Sequence, residues 1–123
     1  MFCTVINCMD GRTQIPAIQF LKKRFNAEYV DSITEPGPNL ILGEQTEPET
    51  IKSIFRRIKI SVEHHHSVGI AVVGHHDCAG NPSPQEGQIG QIKDSIALIR
   101  QQYSNIEIIG LWVDKNWQVT ELT

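Results

Sequence analysis

Apolar positions along the chain fall into two kinds of run. "FCTVINC" (2–8) and "VGIAVVG" (68–74) are continuous, β-branched and bounded by glycine or polar residues. That is the pattern of strands buried on both faces. "AEYVDSI" (27–33) and "IEIIGLWV" (106–113) are further strand candidates, and "WQVTEL" (117–122) alternates like an edge strand after a turn at "DKN". Between these runs the apolar spacing changes to threes and fours. Ile15, Ile18, Leu21 and Phe25 predict one helix, with Pro16 tolerated because it falls in the first turn. Thr46 and Glu49 make a capping-box pattern ahead of Ile51, Ile54, Phe55, Ile58 and Val62, which predicts a second. Ile89, Ile92, Ile96 and Ile99 predict a third. Strands alternating with helices of this length indicate an α/β fold in three layers. The expected core is a central, mostly parallel sheet of about five strands, in the order 2-1-3-4 with an antiparallel edge strand, flanked by helices. Right-handed crossovers make that order natural. With no internal repeat, linker or low-complexity segment, residues 1–123 are expected to form a single domain.

That strand order has a chemical consequence. In an open parallel sheet, sites form outside the carboxyl ends of strands, at the point where strand order reverses. Here that point lies between strands 1 and 3, and the loops leaving them are "CMDGR" (8–12) and "GHHDCAG" (74–80). Cys8 would then face His75 and Cys78 across one crevice. Two thiolates and one imidazole are a donor set that zinc prefers. The spacing His75-x-x-Cys78 lets one short loop supply two donors to one ion. Three protein ligands leave a fourth position, for water or a carboxylate, and Asp10 is the candidate carboxylate. Arg12, two residues on, is placed to hold Asp10 by a bidentate pair and so to control whether it touches the metal. A structural zinc site is usually closed by four ligands, so three soft donors beside an acid point to catalysis.

Composition narrows the classes. The net charge of −3 comes with no basic stripe to neutralise phosphates, which argues against nucleic acid. No apolar run approaches the ~18 residues of a membrane span. Met1 leads into a strand rather than a signal peptide, so the cytoplasm is the expected location. Three cysteines, an odd number, favour reduced thiols or a metal over a disulfide framework.

"CMDGR" together with "GHHDCAG" resembles the β-class carbonic anhydrases, whose zinc is bound by a Cys-x-Asp-x-Arg loop and a His-x-x-Cys loop. The stretch "SVEHHHSVGIAVVGHHDCAG" (61–80) resembles that family's helix and strand leading into the second loop, and "IGLWVDKNWQVTEL" (109–122) is similar to its closing hairpin. The resemblance implies that Cys8, His75 and Cys78 bind zinc, that Asp10 orients the nucleophile and that Arg12 orients Asp10. It implies reversible hydration of carbon dioxide to bicarbonate, in which the metal acidifies its bound water and the resulting hydroxide attacks the carbon. The "CAG" segment would offer an N–H from Ala79 or Gly80 to a bicarbonate oxygen. Typical members are longer, with N-terminal helices that embrace a partner subunit, and carry an Arg-Asn-Ala-Gly type of segment after the second strand. This chain has "TEPGPN" (34–39) there, an acidic and stiffer loop with Glu35, which disfavours an anion lying close. Two alternatives therefore stand beside carbon dioxide hydration: a zinc-binding protein without turnover, in a structural or sensing role, and hydrolysis of carbon disulfide or carbonyl sulfide on the same site.

Other chemistry-bearing residues have plainer readings. Cys3 lies on the opposite strand face from Cys8 and reads as a buried small hydrophobe. His64, His65 and His66 fall in the last turn of a helix, where imidazolium suits the dipole, with His65 and His66 partly packed. His76 fills the loop beside its neighbour, and Asp77 is solvated or caps the loop. "KKR" (22–24) and "RR" (56–57) read as wet helix faces. Pro36, Gly37 and Pro38 make a rigid turn or a pocket wall. A cysteine phosphatase needs Cys-x5-Arg, and neither Cys8 nor Cys78 has it. A thiol-redox protein needs a resolving cysteine close in sequence, and each loop has only one. Long apolar runs with little to cover the sheet edges predict a homodimer or a higher homo-oligomer.

Overall fold

A computed structural model describes all residues from Met1 to Thr123. Five strands form one sheet in the order β2-β1-β3-β4-β5: β1 (Phe2–Cys8), β2 (Tyr29–Glu35), β3 (Gly69–His75), β4 (Glu107–Val113) and β5 (Val119–Leu122). The first four strands pair in parallel and β5 closes the edge antiparallel to β4, as the apolar pattern predicts.

Strand periodicity divides the core between two helical layers. Cys3, Val5, Ala71, Val73, Ile109 and Leu111 face α1 (Gly11–Arg24), where they meet Leu21 and Phe25. Ile6, Ile33, Ile70, Val72 and Ile108 face the other way. There they meet Ile41 and Leu42 of α2 (Pro38–Glu44), Ile54 and Ile58 of α3 (Pro48–Lys59), and Ile92 and Ile99 of α4 (Gln85–Arg100). Cys3 is fully buried in the first layer, as expected for a small hydrophobe.

Four local expectations are corrected. Helix α1 starts earlier than Pro16 implied, because Asp10 caps it, so the proline stands inside the helix and cannot donate to the Arg12 carbonyl. Its buried stripe is Thr13, Ala17 and Leu21, while Ile15 is 66% exposed. The capping box does not form: Pro48 sets the first helical position of α3, Glu47 is the cap, and the Thr46 N–H instead closes α2 on the Ile41 carbonyl. Helix α2 itself was unforeseen, since "TEPGPN" reads as a rigid turn and the apolar "LIL" after it is too short to show a period.

A π-helical turn, Ile60–His64, continues α3, so His64 ends the helix and His65 and His66 lie beyond it. His65 packs its ring on Phe2 and its Nδ1 lies 2.6 Å from Asp31 Oδ2, whereas His66 is exposed with φ 56°. No helix is long and apolar enough to cross a membrane.

Candidate metal centre

Cys8 ends β1, and the chain leaving it is tied down at once. Asp10 Oδ1 accepts the Arg12 N–H at 2.9 Å, and the Gln14 side-chain amide donates to the carbonyls of Cys8 (2.7 Å) and Asp10 (2.9 Å). The first turn of α1 thereby fixes the direction in which the buried Cys8 side chain leaves the sheet.

His75 ends β3 and is held more firmly still. Gln88 of α4 reaches both its backbone groups: Oε1 accepts the His75 N–H at 3.2 Å, and Nε2 donates to the His75 carbonyl at 3.0 Å. Gln88 also takes an N–H of Asn39 at 3.1 Å. Asn81 in turn donates to Asn39 (3.3 Å) and to Gln91 (2.7 Å), so a buried amide network braces the loop from below. The imidazole Nδ1 lies 2.7 Å from the His76 carbonyl, which makes it the protonated nitrogen. The lone pair therefore sits on Nε2, which is buried and has no protein partner. A buried acceptor left unpaired costs about 1–3 kcal/mol. Such an atom calls for a ligand.

The third loop is the one the prolines stiffen. Gly37 has φ +67°, and a Cβ there would stand 2.9 Å from the Gly80 carbonyl oxygen, while one on Gly80 would stand 2.6 Å from the Pro36 carbonyl carbon. Only glycine at both positions lets the two backbones touch. Here the backbone N–H groups of Gly37 and Asp10 favour the Cys8 thiolate, those of Gly80 and Asn81 favour a Cys78 thiolate, and the Asn81 N–H closes the loop on the Cys78 carbonyl at 3.3 Å.

These loops bring the Cys8 Sγ, a His75 ring nitrogen and the Cys78 Sγ within 4.8 Å of one another, with the two sulfurs 3.7 Å apart. The cluster is prepared for positive charge. A hydrogen bond from Cys78 pushes the Cys8 thiol far below its usual pKa, and the thiolate so formed pushes Cys78 up. Burial works against the charged form of His75, yet the adjacent Cys8 sulfur and the His76 carbonyl outweigh it and raise its pKa. Two soft sulfurs and a correctly presented imidazole fit a divalent metal such as zinc.

Asp10 is not in this group. Arg12 takes both its oxygens, through Nε to Oδ1 at 3.1 Å and Nη2 to Oδ2 at 2.7 Å. The Arg12 hydrogen bonds hold the Asp10 carboxyl down at about 2, and Asp10 in turn raises Arg12. The expected Asp10–Arg12 pair is present, with the carboxylate on the arginine.

Among known proteins, the family model described as "Putative carbonic anhydrase" matches residues 1–123, the whole chain. The chain belongs to this family. Two β-carbonic anhydrases share its fold. One is among the tetrameric enzymes of the filamentous ascomycete Sordaria macrospora, at 14% identity over 97% of this chain and 79% of that one, with TM-score 0.57. The other is CafA of the fungal pathogen Aspergillus fumigatus, at 13% identity over 97% and 74%, with TM-score 0.56. No curated protein sequence matches the chain.

Several residues of this carbonic anhydrase family member escaped the sequence reading. Asp77 is not merely solvated: it pairs with Arg12, Nη1 to Oδ2, at 3.3 Å. Glu35 does not leave an acidic loop, because Arg57 of the supposedly wet "RR" pair bonds it. Gln88 and Asn81 gave no signal, since buried amides on a helix and in a loop follow no periodicity. Gly37 could have been found: a glycine between two prolines already suggests a backbone that must turn left-handed.

Proposed function

We propose that this protein is a zinc enzyme that reversibly hydrates carbon dioxide to bicarbonate. The observation that carries this reading is the unpartnered His75 Nε2 beside two convergent sulfurs, with a locked carboxylate next to them but outside the cluster. Cys8, His75 and Cys78 would hold the ion. Zinc in such a set supplies a Lewis acid that brings the ionisation of water toward neutral pH.

The chain's own residues supply the rest. Asp10, ionised well below neutrality, accepts a hydrogen bond from the nucleophilic water and turns its lone pair toward the carbon of the substrate. Arg12 holds both Asp10 oxygens, which would keep the carboxylate off the ion. The Glu35–Arg57 pair neutralises the loop that would otherwise repel the product anion. The family membership supports the reaction class, and the description of one fold relative as tetrameric supports a homo-oligomer here, to be read by light scattering.

The test is the hydration rate against pH on protein of measured zinc content. A rate far above buffer, rising through an ionisation near neutrality and lost in Asp10→Asn with zinc retained, is the expected result. Full zinc occupancy with no rate at any pH would overturn the enzyme reading and leave a zinc-binding protein.

A further inference from the structure

Arg12 is held by more than Asp10. Its Nη1 reaches Asp77 Oδ2 at 3.3 Å and its Nη2 donates to the Asp77 carbonyl at 3.1 Å. Its guanidinium carbon also lies 4.5 Å from the centre of the Trp117 ring. The three partners come from three loops at one end of the sheet: Asp10 after β1, Asp77 after β3, and Trp117 between β4 and β5.

Both additional partners stand in unusual backbone. Asp77 has φ 57° and Trp117 has φ 60°. Aspartate tolerates this left-handed conformation, but for a bulky residue such as tryptophan it is an outlier. The turn enforces it. The Trp117 N–H bonds the Asp114 carbonyl at 2.9 Å, while Asp114 Oδ1 takes the N–H groups of Asn116 (2.8 Å) and Gln118 (3.0 Å). The hairpin thus holds a half-buried indole against the first turn of α1, where Arg12 stands.

An arginine side chain 46% exposed has many poses open to it, and a lone surface ion pair does little to select one. Restraint from a second carboxylate, a carbonyl and an aromatic face selects one strongly. We propose that Asp77 and Trp117 are positioning residues, which fix the Arg12 guanidinium in the one pose that keeps both oxygens of Asp10 occupied. The β4–β5 hairpin is then part of the site, although none of its residues approaches the sulfurs in sequence. This inference rests on the proposed role of Asp10 in carbon dioxide hydration, but its primary readout does not.

The readout is the Arg12 Nε–H resonance in nitrogen-15-labelled protein of measured zinc content. In the native protein it is expected to exchange slowly with solvent and to be displaced upfield by the Trp117 ring. Trp117→Ala should speed its exchange roughly tenfold, the size of a well-placed cation–π contact. Trp117→Phe should bring it back to within about threefold of native. Asp77→Asn, which tolerates the same backbone, should give an intermediate increase. Hydration rates on the same samples should fall in the same order with zinc content constant. Unchanged Arg12 exchange in both Trp117→Ala and Asp77→Asn overturns the proposal. Should Trp117→Ala fail to fold, Asp77→Asn decides alone. A native protein that binds zinc without hydrating carbon dioxide would sink the enzyme reading, and the exchange data would still settle the positioning.

Discussion

Helix α1 carries an arginine at each end, and the two are built alike. Arg12 pairs with Asp10 and Asp77 and covers Trp117. Arg24 pairs with Glu107 and Glu121, each at 2.7 Å, and covers Phe25 at 5.2 Å. Each guanidinium is raised by its acids. Their placements differ in sign. Arg24 stands in the last turn, where the helix dipole favours a cation, and it ties α1 to β4 and β5. Arg12 stands in the first turn, where the dipole opposes a cation and favours the acid that caps it. One cluster agrees with every local rule. The other sets a cation against the dipole and a tryptophan in left-handed backbone, and it does so beside two sulfurs and an unpaired imidazole nitrogen. Conflict between local electrostatics and an otherwise consistent fold is the physical mark of a site.

The sharpest way to break this comparison is to remove one acid from each cluster. Asp10→Asn is expected to lower the hydration rate ~100–1000-fold with zinc content unchanged, as loss of a proton-handling group does. Glu121→Gln should leave the rate at the native level. Equal losses would mean that the Arg12 cluster is only another tie. Removing the arginines comes next. Arg12→Ala should cost ~10–100-fold in rate, the usual effect of losing a residue that orients a site from behind. Arg24→Ala should leave the rate alone and lower stability by roughly 0.5–1 kcal/mol in urea unfolding. A variant pair in which Arg24→Ala slows the reaction as much as Arg12→Ala would erase the distinction.

How much of this was legible in the sequence depends on the kind of signal. Strand positions followed from continuous apolar runs such as "VGIAVVG", the pattern of a strand buried on both faces, and their order from right-handed crossovers. The convergence of Cys8 with His75 and Cys78 followed from that order, since both loops leave carboxyl ends of adjacent strands. Helix faces were less legible. On α1 the apolar residues Ile15 and Ile18 suggested the wrong stripe, because the helix packs its small residues Thr13 and Ala17 against the sheet. Least legible were the supports. Gln88 bonding both backbone groups of His75, and Trp117 reaching Arg12, are tertiary meetings with no spacing to betray them. Donor atoms declare themselves by type, whereas the groups that aim them are ordinary residues in unusual places.

The smallest expected effect sharpens the comparison from the side of stability. In the folded protein the Asp10 carboxyl is held at about 2, below the ~3.9 of an unfolded aspartate, chiefly by the hydrogen bonds of Arg12. A depressed acid contributes its full stabilisation above the unfolded value, and that contribution fades as pH falls through the interval between the two. Native protein freed of metal by a chelator should therefore lose stability between about pH 4 and pH 2 more steeply than Asp10→Asn. Arg12 is well exposed and Asp10 only half-buried, so solvent screens the pair and the difference should be well under the unscreened value, at most ~1 kcal/mol. Arg12→Ala should flatten the same interval, since it removes the cause of the shift. Arg24→Ala should not flatten it. If urea midpoints across that range move in parallel for all four proteins, the Arg12–Asp10 pair carries no more protonation energy than the surface tie at the far end of the helix, and its claim to be set apart would rest on the metal-side geometry alone.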